Sequence, residues 1–422
     1  MASFFDSLLD FNNQRRLSGG SECSHAKFSP PVEEIDPDGD MMLSVGRPGC
    51  TYTSCNYDEG RRPNAICFHV DSTVVAGASS TLGLVVYSPS AKAATDSKVK
   101  WTVKLPDDDP QAMRTVIDIL YGRCPIPSLD NQMSIEQLLR LTILADRYDL
   151  VHLFTKWIGQ WVEDMAPYWV NKKFVRQSTE TLESLLWISW VIGHEPLYAH
   201  MILQIAFHSE LDDTGELTDP AEQLCFVNES YKVSVPPCAP IEIGHSRIEV
   251  LKLIRKDIKE TVERHLHGNQ NRGRPCCGRT DGDDDLIWRR GMLETFLKML
   301  DREGIWPLPP AHMVTASPRS LVEIFRVNPE IPSFIHQGRF CEADGSFWHR
   351  IDKLLGDIYF ILPQASAKHL RAQAEKSGLA DYFKSKGPRF APDRGIWKVK
   401  EILEFQKAIT ESESVPAQER RR

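Results

Sequence analysis

No stretch of this chain approaches the roughly 20 consecutive apolar residues that a bilayer-spanning helix needs, so no membrane segment is expected. A basic excess is also missing. With 50 Lys and Arg against 58 Asp and Glu, the net charge is −8. That balance argues against a broad hold on nucleic acid, which rests on cationic side chains displacing phosphate counterions. The only basic run is Arg420-Arg421-Arg422. The first residues lack the basic and apolar runs of a secretory signal and carry Asp6 and Asp10 instead, so an intracellular, cytoplasmic or nuclear protein is expected. Its 10 cysteines fall at spacings that match no small secreted scaffold and read as reduced thiols. Catalytic signatures are missing too. The glycines near Gly77 and Gly83 lack the spacing and Lys-Ser/Thr ending of a phosphate loop, and neither a His-Glu-x-x-His helix nor a Gly-x-Ser-x-Gly elbow occurs. No catalytic residue and no cofactor are therefore expected.

What remains is ordinary globular material, 41% hydrophobic and 26% charged, enough for about two or three domains. Residues 1–36 mix Asn, Ser, Gly and Pro and read as a disordered tail. Inside it, Phe4, Phe5, Leu8, Leu9 and Phe11 have near-helical spacing. Such a cluster is either a docking peptide or, more commonly, a terminal turn packed on its own domain.

Residues 37–165 form the first domain. Met41 to Val45 follows the turn residues Pro37-Asp38-Gly39-Asp40 and reads as a strand. Ile66 to Val70 reads as a second. Asp71 to Tyr87 predicts two short helices broken near Gly77, with Ser79 as N-cap of the second. Val99, Trp101, Val103 and Leu105 alternate like a third, half-buried strand. Asp107-Asp108-Asp109 then complement the start of a helix opened by Pro110 and closed by Gly122. Ser134 and Gln137 predict a capping box before an almost wholly apolar helix. Phe154, Trp157, Ile158, Trp161 and Met165 make the stripe of the next. Trp101, Leu105, Ile117, Leu120, Leu138 and Leu144 are the expected core.

Residues 166–410 read as helical, with flexible loops at 212–239 and 268–285, and 411–422 as a disordered tail. Leu182, Leu185, Leu186 and Trp190 predict one amphipathic stripe, and Tyr198, Met201, Ile202 and Ile205 another. Ile248, Leu251, Ile258 and Val262 mark a third, and Leu293, Phe296, Leu297 and Leu300 a fourth. Ser317-Pro318 opens a further helix, and Ile351, Leu354, Leu355 and Ile358 mark one more. No strand signal of comparable strength follows Leu105.

Three constellations invite chemistry. His265 and His267 with Cys276-Cys277, joined by His336 or Cys341, are zinc-type ligands, but adjacent cysteines fit one tetrahedral ion poorly. No bound metal is expected. Trp157, Trp161, Trp187 and Trp190 suggest a ligand cage, yet at helical spacing such side chains are far more often core. Cys67 and His69 share a strand face, without a visible third group to orient a catalytic pair.

The segment Phe68 to Met165 resembles the BTB/POZ domain in the form common in filamentous fungi. The resemblance rests on Phe68-His69-Val70-Asp71-Ser72 with Val74-Val75 and Ala78-Ser79-Ser80. It also rests on Val103-Lys104-Leu105-Pro106 with Asp107 to Pro110, and on Leu139 to Leu150 with its Ala145-Asp146-Arg147-Tyr148 phrase. It implies an α+β fold, a short three-stranded sheet with helical hairpins followed by a mainly α-helical region. It also implies a non-enzymatic docking platform for other proteins or for a second copy of itself. Three positions depart from the family. Asp71 and Ser72 replace a histidine and a basic residue, and Ser79-Ser80-Thr81-Leu82 lacks the usual proline and aromatic. Val85-Val86-Tyr87 has tyrosine where cullin-binding members carry glutamate. Val85 and Tyr87 are the expected partner-binding residues, with weak binding to a cullin. The alternatives are a cullin-linked ubiquitin-ligase adaptor, and an enzyme whose site lies in the helical half.

Overall fold

The computed structural model describes residues 30–46, 65–88, 101–124, 133–169, 178–218, 235–267, 282–327, 333–336, 339–342, 358–386 and 396–398. The fold is mixed α+β, mostly helical, with a small mixed sheet. It divides into two compact units, residues 1–114 and 115–422.

Alternation builds the sheet of the first unit. β2 (Met41–Val45) and β3 (Ile66–Val70) each place every second side chain inward. They pair antiparallel from Met41↔Val70 to Val45↔Ile66. β4 (Trp101–Leu105) joins β2 in parallel from Met41↔Trp101 to Val45↔Leu105. Met41, Leu43, Val45, Ile66, Phe68, Val70, Val103 and Leu105 are buried on one face. Each buried aliphatic contributes about 1.5–3 kcal/mol, which fixes the register because a one-residue slip would turn the whole set outward.

A fourth strand was not legible. β1 (Val32–Glu34) comes from residues expected in the disordered tail and pairs parallel with β3, giving the order β1-β3-β2-β4. Three residues are too few for an alternation signal. Its hold is pairing instead: Cys67 N–H donates to the Pro31 carbonyl at 2.9 Å and Ile35 N–H to that of His69 at 3.1 Å. Arg114 Nε adds a bond to Glu33 Oε2 at 3.1 Å.

The local stop and start signals act as their chemistry dictates. Asp71 caps α1 (Ser72–Gly77), and Ser79 caps α2 (Ser80–Val86) by accepting from Leu82 N–H at 3.0 Å. Asp109 accepts from Gln111 and Ala112 N–H at 3.0 and 2.8 Å at the start of α3 (Pro110–Leu120), and Gly122 follows its end at φ +65°. Each such cap contributes about 1 kcal/mol. Of the expected core, Leu105, Ile117, Leu138 and Leu144 are buried, whereas Trp101 and Leu120 are only half-buried.

In the second unit α4 (Ile135–Tyr148) carries the capping box of Ser134 and Gln137 and ends on Asp149 at φ 58°. A 3-10 turn (Val151–Lys156) leads to α5 (Ile158–Trp169), and Phe154, Trp157, Ile158, Trp161 and Met165 are all buried. α6 (Thr179–Ile192) and α7 (Glu195–His208) were expected to be amphipathic. Instead α6 is buried from Leu185 to Ile192 and α7 from Glu195 to Phe207. The reason is tertiary. α7 packs against α6, α8 (Ala239–His267), α10 (Pro318–Val327) and α11 (Gln364–Ser377), so it has no solvent face to reserve for polar residues. α9 (Gly282–Arg302) lies against α8, while Ala311–Met313 forms a further 3-10 turn beside it.

Short strands do occur after Leu105. β5 (Glu210–Leu211) with β6 (Leu217–Thr218), β7 (Ser333–His336) with β8 (Arg339–Glu342), and β9 (Tyr359–Ile361) with β10 (Ile396–Lys398) form two-stranded ribbons. At two to four residues each, they leave no periodic trace. The expected loops are trimmed accordingly: β6 lies within 212–239, α8 begins at Ala239, and α9 begins at Gly282. Ile351, Leu354, Leu355 and residues 411–422 lie outside the described residues.

α11 and α12 (Leu379–Lys386) form a hairpin that closes over segments far earlier in the chain. Two glycines permit it. A Cβ on Gly193 (φ +80°) would stand 2.1 Å from the Ala374 nitrogen, and one on Gly378 (φ +80°) 2.6 Å from Thr155 Cγ2. Ser377 Oγ donates to the Ile192 carbonyl at 2.8 Å, and Lys376 pairs with Asp149. No helix among the described residues is long and apolar enough to cross a membrane.

Candidate interaction surface

Of the two expected partner-binding residues, Val85 stands on α2 and Tyr87 is its C-cap. Leu82 and Val86, four residues apart, point inward and are fully buried. The opposite side is therefore turned to solvent. Leu84 is 67% exposed, Tyr87 44% and, on α1, Val74 37%. Leu84 and Tyr87 are three apart and share a helical face, whereas Val85 is only half-buried and lies to the side. The Tyr87 ring is fixed against Trp101 of β4, centroids 6.1 Å apart with planes at 58°. Sequence reasoning singled out Val85 and Tyr87 and missed Leu84. Its signal was present, an apolar residue two positions from Leu82 on the helix side that the buried pair leaves outside. The whole run from Ser72 to Ala91 contains no Asp, Glu, Lys or Arg.

Asp71 and Ser72, the first departure from the family pattern, serve the fold here. The Asp71 carboxylate accepts from Thr73 N–H at 2.7 Å, and Asp40 accepts from Ser72 N–H at 2.8 Å and Ser72 Oγ at 3.1 Å. Both acids thus hold the start of α1. On β3, His69 Nε2 meets the Gly39 carbonyl at 2.9 Å, so its ring braces the turn before β2, and Cys67 shares its half-buried face.

The helical unit holds a second concentration of chemistry, all of it inside. Tyr198 donates to Glu242 Oε2 at 2.7 Å and Ser366 to Glu242 Oε1 at 2.5 Å. Tyr198 and Ser366 are fully buried and Glu242 nearly so. Burial, then the neighbouring carboxylate, pushes the Tyr198 hydroxyl far above the usual phenol range. Arg247 is 1% exposed. Its Nε donates to the Ser209 carbonyl at 3.1 Å, and its Nη2 to those of Val314, Thr315 and Ala316 at 2.7, 2.9 and 2.9 Å. Burial lowers its pKa to about 10, so it stays cationic at neutral pH. These groups tie α7, α8, α11 and the segment before α10 together and present no solvent-facing nucleophile.

The tryptophans are core. Trp157, Trp161, Trp187 and Trp190 are at most 9% exposed, and Trp190 stacks on His369 with centroids 3.8 Å apart. Among the described residues no group of three or more His, Cys, Asp or Glu could hold a metal ion. The zinc candidates Cys276 and Cys277, and the side chains of His265, His267, His336 and Cys341, lie outside that description. No family model, curated protein or solved structure matches the chain.

Proposed function

We propose that this chain is a non-enzymatic protein–protein interaction protein whose residues 37–165 act as a BTB/POZ-like docking domain. The observation that carries the reading is the exposed apolar edge of α2. An uncharged helix and its C-cap turn Leu84 and Tyr87, three residues apart, to water beside a folded sheet, and adjoining exposed apolar side chains are the material from which binding surfaces are built. The order of elements supports it as well: two paired strands, a short helix pair, a further strand, then helices. The likeness of Phe68–Val75, Val103–Pro110 and Leu139–Leu150 to the family adds to that order.

The partner is another protein whose contact face is apolar at its centre and neutral, because no charge in the run Ser72–Ala91 is available to pair across the interface. Val85 lines the side of this surface and Tyr87 supplies its aromatic anchor, the residue type enriched at binding hot spots. Comparative pull-down with quantitative mass spectrometry of the native chain and a Leu84→Glu variant tests the proposal. Leu84 is exposed, so the variant folds, which its melting curve checks. A set of proteins captured by the native chain and lost by Leu84→Glu is expected. Identical captures by both chains would remove this surface as the docking site.

A further inference from the structure

We infer that β1 is a displaceable strand, lying on an edge of β3 that receives an extended partner segment bearing a carboxylate and, two residues later, an apolar side chain. This edge is separate from the α2 surface and does not rest on the role proposed there.

β1 is held differently from the strands beside it. β2 and β3 are five residues long, and each buries every second side chain. None of Val32–Glu34 is buried; Val32 is 61% exposed, Glu34 is exposed and Glu33 half-buried. Apolar burial begins only at Ile35, just past the strand. The pairing covers three residues, Val32↔Cys67 to Glu34↔His69, and Pro30-Pro31 before it have no N–H to lengthen the ladder. The side-chain tie runs from Glu33 to Arg114, whose side chains remain 26% and 41% exposed, so solvent screens it. Few buried contacts and a part-exposed ion pair place an element at the low end of local stability. β1 therefore opens while β3, β2 and β4 stay paired.

The edge beneath β1 selects its occupant. Cys67 N–H donates to the Pro31 carbonyl at 2.9 Å, and the His69 carbonyl accepts from Ile35 N–H at 3.1 Å and Asp36 N–H at 3.0 Å. Opening Pro31–Ile35 leaves Cys67 without that acceptor and His69 one donor short, groups that an extended chain parallel to β3 satisfies again. Beside them Arg114 grips Glu33 at two points, Nε to Oε2 at 3.1 Å and Nη2 to Oε1. Two-point contact from a planar guanidinium selects a carboxylate. Glu33 and Ile35 share the inward side of the strand, and Val32 and Glu34 the outward side. The recognised segment thus reads carboxylate, any residue, apolar, as Glu33-Glu34-Ile35 does, and its charge complements Arg114. Because β1 is tethered at Asp36, it competes with a partner at high effective concentration.

A fluorescein-labelled peptide with the sequence of residues 30–36 is the probe, titrated by anisotropy into the full native chain and into Glu33→Pro. That variant removes the carboxylate and the N–H that, two residues before Ile35, faces β3; its melting curve checks folding. Amide exchange at Cys67 should quicken about tenfold in the variant as the edge opens. Apparent affinity scales with the fraction of chains whose edge is free, so the variant should hold the peptide about tenfold more tightly than the native chain. A peptide with glutamine in place of the Glu33 carboxylate should bind the variant about tenfold more weakly, as expected for the loss of a bond to a charged group. Glu33→Gln removes the charge alone and should shift exchange and affinity in the same direction by less. Unchanged exchange at Cys67, equal affinity of the two chains, or equal affinity of the two peptides would each overturn the proposal. So would a native dimer that the peptide dissolves, since β1 of a second copy would then be the occupant.

Discussion

Lowering the pH from 7 to 5 puts a specific load on the helical unit through two histidines of the α6–α7 region. His194 is completely buried; its Nδ1 accepts from Leu197 N–H at 3.2 Å as the cap of α7, and its ring meets Phe383 edge-on. His200 is 4% exposed in the middle of α7. Burial lowers the first pKa to about 3 and the second to about 4, from an ordinary 6.5. Between those values and 6.5 the unfolded chain binds protons that the folded chain refuses. Stability is therefore complete above pH 6.5 and falls as the pH drops toward 3 or 4. At pH 5 each histidine costs about 2 kcal/mol, about 4 kcal/mol for the pair. Asp146 acts in the opposite sense. Burial and then Asp149 raise its pKa, so its contribution is lost as the pH rises. A His194→Asn/His200→Gln variant keeps an acceptor at the cap and leaves Asp146 unchanged. Urea unfolding followed by the fluorescence of Trp187 and Trp190 should show the native chain losing about 4 kcal/mol more than the variant between pH 7 and 5. Parallel pH dependence in the two chains, or imidazole resonances titrating near 6.5, would refute the reasoning.

Gly193→Ala should destabilise the same unit by about 3 kcal/mol or more. It adds the strain of a left-handed alanine to a clash with the backbone of Ala374 and Leu370; a urea midpoint within error of the native value would show that the hairpin seat is soft. Arg247→Met should cost about 3–5 kcal/mol, because the carbonyls it serves are left without donors in the interior, and Arg247→Lys should recover only part, lacking the planar fork; chemical denaturation measures both. Calorimetry with a cullin N-terminal region should give weak or undetectable binding for the native chain and a gain for Tyr87→Glu, since a charge-assisted bond is roughly twice as strong as a neutral one. Micromolar binding by the native chain, lost on changing Val85, would establish the adaptor role instead.

What could be read in advance follows the range of the interaction concerned. Ser79, Ser134 and Asp109 bond to backbone groups two or three residues away, so sequence contains the whole interaction. The alternation of β2, β3 and β4 is equally local. β1 is not, because three residues become a strand only by finding β3. The burial of α7 is invisible for a similar reason: it carries Glu195, His200 and Gln204 and so reads as partly solvated, yet neighbours from four elements enclose it. Arg247 lies in a helix rich in Lys, Arg and Glu and reads as solvated. Its role depends on carbonyls at Ser209 and at residues 314–316, which no pattern announces. Leu84 escaped because an apolar residue in an apolar helix reveals its orientation only once Leu82 and Val86 are placed.

The hairpin of α11 and α12 has a consequence for how the chain is made. The surfaces it covers, around Thr155 and Ile192, leave the ribosome roughly 170–220 residues before the hairpin that seals them. At about 5–20 residues per second that is an interval of roughly 10–40 seconds. Throughout it, α5 and α6 stand with an apolar flank uncovered and Gly193 facing an empty seat. Apolar surface left open in this way is prone to aggregate until its cover arrives, and a message truncated before Gln364 yields a product that lacks that cover.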